Sequence, residues 1–300
     1  MNNLADIGGG LLSFPATAFR DGAVDLETYG HHVDWMASQG AAGLFSAGAT
    51  GEFYAMSPDE IESVVRVAVE AVNGRLPVYA PAGFNATIAI DLARRAAAVG
   101  ASGLLLFPPY LVETSQQGLA EYVRAVCSST DLPVVLYNRG NARYEPGTVA
   151  RLCDTIPNLA GLKDGVGDLD HLGRIIATVG DRLTYIGGIP TAEMIAVPSL
   201  SIGVSTYSSA LFNFLPTFAL AFYNAARSGD SGFIRQSMVD FLIPYSTLRS
   251  RDNGYAISIV KAGMRVIGRD AGPVRPPIAD LRPSEVEELG RLIEVARNLA

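Results

Sequence analysis

Lysine is almost missing from this chain. Among 300 residues there are two, Lys163 and Lys261, against twenty-one arginines. A sequence that writes its positive charge as arginine has little use for lysine on its surface, so each lysine calls for its own explanation. Lysine does one thing arginine cannot. Its amine sheds a proton when desolvated and can then attack a carbonyl to form a Schiff base. Lys163 closes the apolar run Leu159-Ala160-Gly161-Leu162, with Asp164 after it, and is the first candidate nucleophile. Lys261 lies inside Ser258-Ile259-Val260-Lys261-Ala262-Gly263, a helical pattern that suits an ion pair or packing instead.

Other scarcities narrow the field. Cys127 and Cys153 stand alone in helical patterns, with no CxxC. That excludes a disulfide framework and is expected of a reducing, cytoplasmic compartment. His31, His32 and His171 lie in helical patterns, and neither an HExxH nor clustered carboxylates are present, so no metal is expected. Basic patches are missing too. Arg94-Arg95 is the only adjacent basic pair and the formal net charge is −7, which argues against nucleic acid as a partner. The greasiest stretch, Ala210 to Ala226, is interrupted by Asn213, Pro216 and Asn224. It is too short and broken to span a bilayer and reads as a buried helix at a subunit contact. Met1 to Asp6 has no basic segment followed by an apolar one, so no signal peptide is expected.

What is present is a series of strand–helix units. Short apolar runs begin near Gly10, Ala42, Pro77, Gly103, Pro133, Leu159, Leu183 and Ser201, eight in all. Helical patterns separate them. Ser57-Pro58-Asp59-Glu60 opens one with an N-cap, a proline at the first turn and a glutamate at the capping-box position. Several runs are apolar throughout, as parallel strands covered on both faces are. Eight such units predict a (β/α)8 TIM barrel, an α/β fold. A doubly wound open sheet would carry its glycine-rich loop after the first strand. Gly8-Gly9-Gly10 precedes that strand, which fits backbone clearance at the barrel's lower rim. After about Arg227 the strand signal stops, and helical patterns follow over 229–248, 254–268 and 283–299. The expected division is 1–226 as the barrel with the active site and 227–300 as a C-terminal helical region.

Catalytic groups of such barrels come from the C-terminal ends of the strands. Polar residues in this chain cluster at those places. The second run is followed by Gly48-Ala49-Thr50-Gly51-Glu52, the fourth by Pro108-Pro109-Tyr110 and the fifth by Tyr137-Asn138-Arg139. The sixth ends at Lys163, the seventh at Gly187-Gly188 and the eighth at Ser205-Thr206-Tyr207-Ser208-Ser209. All are expected at one mouth. Each has a use in Schiff-base chemistry. Burial keeps a lysine amine neutral. The Tyr137 phenol both donates and accepts, so it can shuttle protons. The Gly48-to-Gly51 turn offers backbone N–H groups and the Thr50 hydroxyl to a carboxylate. Glu52 is expected to orient backbone.

The order GxTGE, Tyr-Asn, Gly-Leu-Lys-Asp resembles the dihydrodipicolinate synthase / N-acetylneuraminate lyase family over nearly the whole chain, from about Gly10 onward. The resemblance implies Lys163 as the Schiff-base lysine and Tyr137 as the proton shuttle. It implies Ala49, through its backbone, and Thr50 as holders of the substrate carboxylate. The runs Gly161 to Asp168, Gly187 to Glu193 and Thr206 to Phe214 are similar to a dehydratase branch of that family. That branch implies loss of water and CO2 from the keto-diacid 5-dehydro-4-deoxy-D-glucarate, giving 2,5-dioxopentanoate without any cofactor. Synthase members use a second tyrosine across a subunit contact; here Leu111 stands at that position, beside Tyr110. Asn138, Gly187, Ser205, Ser208, Ser209 and Arg139 or Arg143 are then candidates for the rest of the substrate, Arg139 or Arg143 for its second carboxylate. The resemblance also implies a homo-oligomer, a tetramer. An aldolase for another sugar-derived keto acid, or a non-catalytic keto-acid-binding relative, fits the same residues.

Overall fold

A computed structural model describes residues 4–300. Eight parallel strands close into a barrel: β1 (Leu12–Ser13), β2 (Gly43–Phe45), β3 (Val78–Phe84), β4 (Gly103–Pro109), β5 (Val134–Asn138), β6 (Leu159–Asp164), β7 (Thr184–Gly187) and β8 (Thr206–Ser209). Neighbours in sequence are neighbours in space, and β1 pairs with both β2 and β8. A short antiparallel ribbon, Phe19–Arg20 with Ala23–Val24, stands outside the barrel.

Helices cover the strands: α1 (Ala5–Gly8), α2 (Leu26–Ser38), α3 (Pro58–Val72), α4 (Ala86–Ala98), α5 (Gln116–Cys127), α6 (Pro146–Thr155), α7 (Leu169–Val179), α8 (Ala196–Ser201) and α9 (Pro216–Ser228). The predicted capping box of α3 is formed in both directions, with Ser57 accepting from the Glu60 N–H and Glu60 accepting from the Ser57 N–H. Ile61, Val64, Val65, Ala68 and Val72 then face the sheet, buried. A fully buried aliphatic side chain of this kind stabilises by roughly 1.5–3 kcal/mol. The greasy stretch before Ala226 becomes α9, whose Phe218 meets Phe241 edge-on at 4.9 Å.

Beyond α9 the chain forms α10 (Ser231–Ser237), a π-turn over Met238–Leu242, α11 (Ile243–Arg249), α12 (Tyr255–Val266) and α13 (Pro283–Leu299). Among the described residues no helix is long and apolar enough to cross a membrane.

The barrel interior has its own core. Leu12, Phe45, Tyr79, Leu105, Val135, Ala160 and Ile186 point inward, and Leu4 and Ile7 close the lower end. Phe14, Phe45 and Tyr79 stack face to face with centroids 4.8 and 4.7 Å apart. Gly10 answers its predicted role at the lower rim: a Cβ there would come 2.5 Å from the Ala42 Cβ.

One strand lies elsewhere than predicted. The run Ser201-Ile202-Gly203-Val204 is the end of α8 and the turn after it, and β8 begins only at Thr206. Gly203 sits at φ +105°, which breaks an extended run that its apolar neighbours suggest. Ser205 therefore precedes the strand. Its Oγ takes the Tyr185 N–H and its carbonyl takes Arg227, at the lower end of the barrel, so it is not at the mouth.

Candidate active site

The chain's inward and outward residues alternate, and one irregularity decides where Lys163 points. Between β5 and β6 the register shifts, so that Leu159 pairs with Val134 but Gly161 pairs with Val135. From there Tyr137 lies directly opposite Lys163. Both side chains enter the upper barrel and both are buried. The Lys163 Nζ donates to the Gly188 carbonyl at 3.0 Å and lies 4.1 Å from the Tyr137 ring centroid and 5.0 Å from that of Phe14.

Burial pushes the Lys163 amine below the ordinary lysine range, against the Tyr137 phenol, which favours its charge. For Tyr137 burial alone would raise the phenol, but the Lys163 and Arg139 charges outweigh it and hold the group below the usual tyrosine range. Arg139 donates to the Tyr137 oxygen at 2.9 Å. An amine that readily gives up a proton thus faces a phenol that readily exchanges one. That is the pairing required to form and dehydrate a carbinolamine.

These groups open into a cavity of about 690 Å³ at the C-terminal ends of the strands. Ala49 and Thr50 line it from the turn after β2, and Ser208 lines it from β8. The turn is tight because Ala47 and Glu52 both take left-handed φ, 50° and 60°. One wall is aromatic: Phe53 stacks on Phe84 and Phe107 at 4.5 and 4.6 Å, and Phe107 meets Tyr137 edge-on at 5.3 Å. The far rim is formed by C-terminal residues, including Arg249 from α11 and Ala256 and Ile257 from α12.

Lys261 takes the role its helical setting suggests. Its ammonium meets the Glu52 carboxylate at 2.7 Å, with both side chains fully buried, and donates to the Pro273 carbonyl at 2.8 Å. Glu52 also accepts from the Arg275 N–H at 2.8 Å. The carboxylate that ends the Thr50 turn is thereby tied to α12 and the segment leading to α13.

Several candidates stand behind the wall rather than in it. Gly48 backs the turn, where a Cβ would come 2.3 Å from the Phe14 ring. Asn138 spans β5 and β6, donating to Asp164 at 3.0 Å and accepting from the Tyr144 N–H at 3.1 Å. Gly187 is paired in the sheet with Asp164 and Tyr207, and the next residue, Gly188, touches the lysine. A Cβ on Gly188 would come 2.0 Å from the Lys163 Nζ. Ser209 turns away to bond the buried Glu193. Arg143 is paired with Asp168 outside the cavity.

Comparison with known proteins places the chain in a family. The dihydrodipicolinate synthetase family model matches residues 8–296. A relative from Rhodococcus opacus (strain B4), described as a probable 5-dehydro-4-deoxyglucarate dehydratase, is 53% identical over 96% of this chain and 95% of its own. One from Saccharopolyspora erythraea with the same description is 54% identical over 96% and 94%. Dihydrodipicolinate synthase from Bacillus clausii superposes with a TM-score of 0.89 at 27% identity, over 97% of this chain and 98% of that one. A prophage protein of the dihydrodipicolinic acid synthase family from E. coli K12, solved in complex with pyruvate, superposes at 0.85 with 27% identity, over 96% and 98%. With its barrel, its strand-end lysine and a family model matched along almost its whole length, the chain belongs to the dihydrodipicolinate synthetase family.

Proposed function

We infer that this enzyme converts 5-dehydro-4-deoxy-D-glucarate to 2,5-dioxopentanoate, CO2 and water through a Schiff base on Lys163. The observation that carries the chemistry is the buried Lys163 in register with Tyr137. The relatives described as 5-dehydro-4-deoxyglucarate dehydratases support the choice of substrate.

The steps follow from the groups present. The near carboxylate of the keto acid lies against Ala49 and Thr50. The neutral Lys163 amine attacks the keto carbon, and Tyr137 moves the protons that release water and leave a protonated imine. That imine draws electrons from the neighbouring methylene, whose proton leaves to give an enamine. The enamine expels the hydroxide on the next carbon, which departs as water. The conjugated imine that results takes up the electron pair of the distal carbon–carboxylate bond as CO2 leaves. Protonation of the extended enamine and hydrolysis return the free amine and the aldehyde product. The lysine is the electron sink throughout.

Products decide the matter. Incubation with 5-dehydro-4-deoxyglucarate should release CO2 and 2,5-dioxopentanoate in equal amounts. Release of pyruvate, which an aldolase would leave behind, would overturn the dehydratase reading while keeping the Schiff base.

The same reading covers assembly. Tyr110, Leu111 and Val112 form a row of exposed apolar residues beside the mouth, which supports a homo-oligomer, a tetramer by resemblance. Light scattering of the purified enzyme tests it. Two free cysteines support a cytoplasmic location.

A further inference from the structure

We propose that Arg249 is the residue that binds the second carboxylate of the substrate and so selects keto-diacids over keto-monoacids. The proposal rests on the Schiff-base reading above and extends it to the far end of the cavity.

Arg249 is the last residue of α11 and lines the cavity. Its guanidinium donates to the Pro190 carbonyl at 2.6 Å, to the Thr191 hydroxyl at 2.7 Å and to the Ser250 hydroxyl at 3.3 Å. All three hydrogen-bond partners are neutral; the one carboxylate that acts on the charge among the described residues, Glu193, is buried behind the wall, bonded to Ser209, and forms no ion pair with Arg249. The other cavity arginine, Arg139, is engaged with the Tyr137 phenol.

Placement matches the substrate. Lys163 is tied to the Gly188 carbonyl and Arg249 to that of Pro190, two residues further along one loop. Two extended residues span at most about 7 Å, so both cations are anchored within that length of backbone. In the closed barrel β2 and β6 face each other, and β7 is the neighbour of β6. A keto acid whose near carboxylate takes the turn after β2 and whose keto carbon meets Lys163 on β6 reaches the loop after β7 with its remaining chain. The anchor is itself unusual: Thr191 is buried and β-branched, yet sits at φ 54°. That conformation is costly for such a residue and is held by the surrounding contacts, Arg249 among them. An arginine fork also fixes the plane of the carboxylate it holds. That orients the bond to be broken against the conjugated imine, which decarboxylation requires.

The experiment is reductive trapping on Lys163, read by mass, with two six-carbon acids. One is 2-oxoadipate, a diacid; the other is 2-oxohexanoate, a monoacid. The native enzyme should reach half-labelling at a 2-oxoadipate concentration on the order of tenfold lower, the size expected of a hydrogen-bonded charge. In Arg249→Met the two half-labelling concentrations should become equal, whatever the absolute rate, and a native circular dichroism spectrum shows the variant folded. Arg249→Lys should keep part of the preference. A native enzyme without preference, or a preference that survives in Arg249→Met, overturns the assignment. So does a preference lost in Arg139→Met but kept in Arg249→Met. Absence of any label from either acid brings down the Schiff base first, and this assignment with it.

Discussion

The ammonium of Lys261 and the carboxylate of Glu52 lie 2.7 Å apart, and neither side chain has any exposed surface. The two buried lysines of this chain thus differ in what they face: Lys261 meets a carboxylate, Lys163 a phenol. Breaking a buried pair leaves its partner charged and alone, which costs about 3–5 kcal/mol. Lys261→Met should lower stability by that order in denaturant unfolding. Adding Glu52→Gln should recover part of the loss. Equal stability of Lys261→Met and the native enzyme would mean the pair is not charged.

Tyr137 and Arg139 should separate in a pH profile. Tyr137→Phe should keep the fold and lower kcat/KM by roughly 10²- to 10⁴-fold, the usual range for a general acid–base group. Arg139 helps hold the phenol below the normal tyrosine range. In Arg139→Met the alkaline limb of the profile should therefore move to higher pH. An alkaline limb that stays in place would remove Arg139 from that role.

Gly188→Ala should test Lys163 as the proposed nucleophile by displacement alone. The added Cβ would come 2.0 Å from the Lys163 Nζ and would drive the amine from its place beside Tyr137. The variant should fold, and its rate of borohydride trapping with pyruvate should fall at least about tenfold, the effect of a small misplacement at a reacting group. Trapping at the native rate would show that the lysine has room to step aside.

How far the site could be read in advance follows from how local its signals are. Lys163, Tyr137 and Thr50 end or follow strands, so an apolar run ending in a polar residue announces them. Ser205 misled because the run before it is apolar but not extended, Gly203 having turned the chain at φ +105°. Asn138 and Ser209 are the next residues after Tyr137 and Ser208, so strand alternation turns them outward, and which of two adjacent polar residues faces the mouth is set by the barrel and not by either residue. Arg249 had no readable signal. At the end of a helix it looks like an ordinary favourable charge against the dipole, and only the fold returns it to the mouth.

His32 should make stability depend on pH. It is buried, its Nε2 facing the Asn213 oxygen at 3.0 Å, and its ring stacks on Trp35. Burial pushes its pKa from 6.5 down to about 4, with Arg269 acting in the same direction against the Asn213 contact. Between those values the unfolded chain takes up a proton that the folded one refuses. His32 therefore costs stability as pH falls from 6.5 to about 4, by about 3 kcal/mol in total. The unfolding free energies of the native protein and His32→Gln should converge over that window. Parallel curves would place the imidazole in water.

The stacked rings of Phe14, Phe45 and Tyr79 make the barrel a cul-de-sac. Lys163 stands just above their floor, 5.0 Å from the Phe14 centroid. The cavity above them opens between the strand-end loops and α12. Keto-diacid comes in by this mouth, and carbon dioxide, water and aldehyde go out by it. The water that finally cleaves the imine enters against that outgoing traffic. A ligand that corks this mouth obstructs arrival and departure alike.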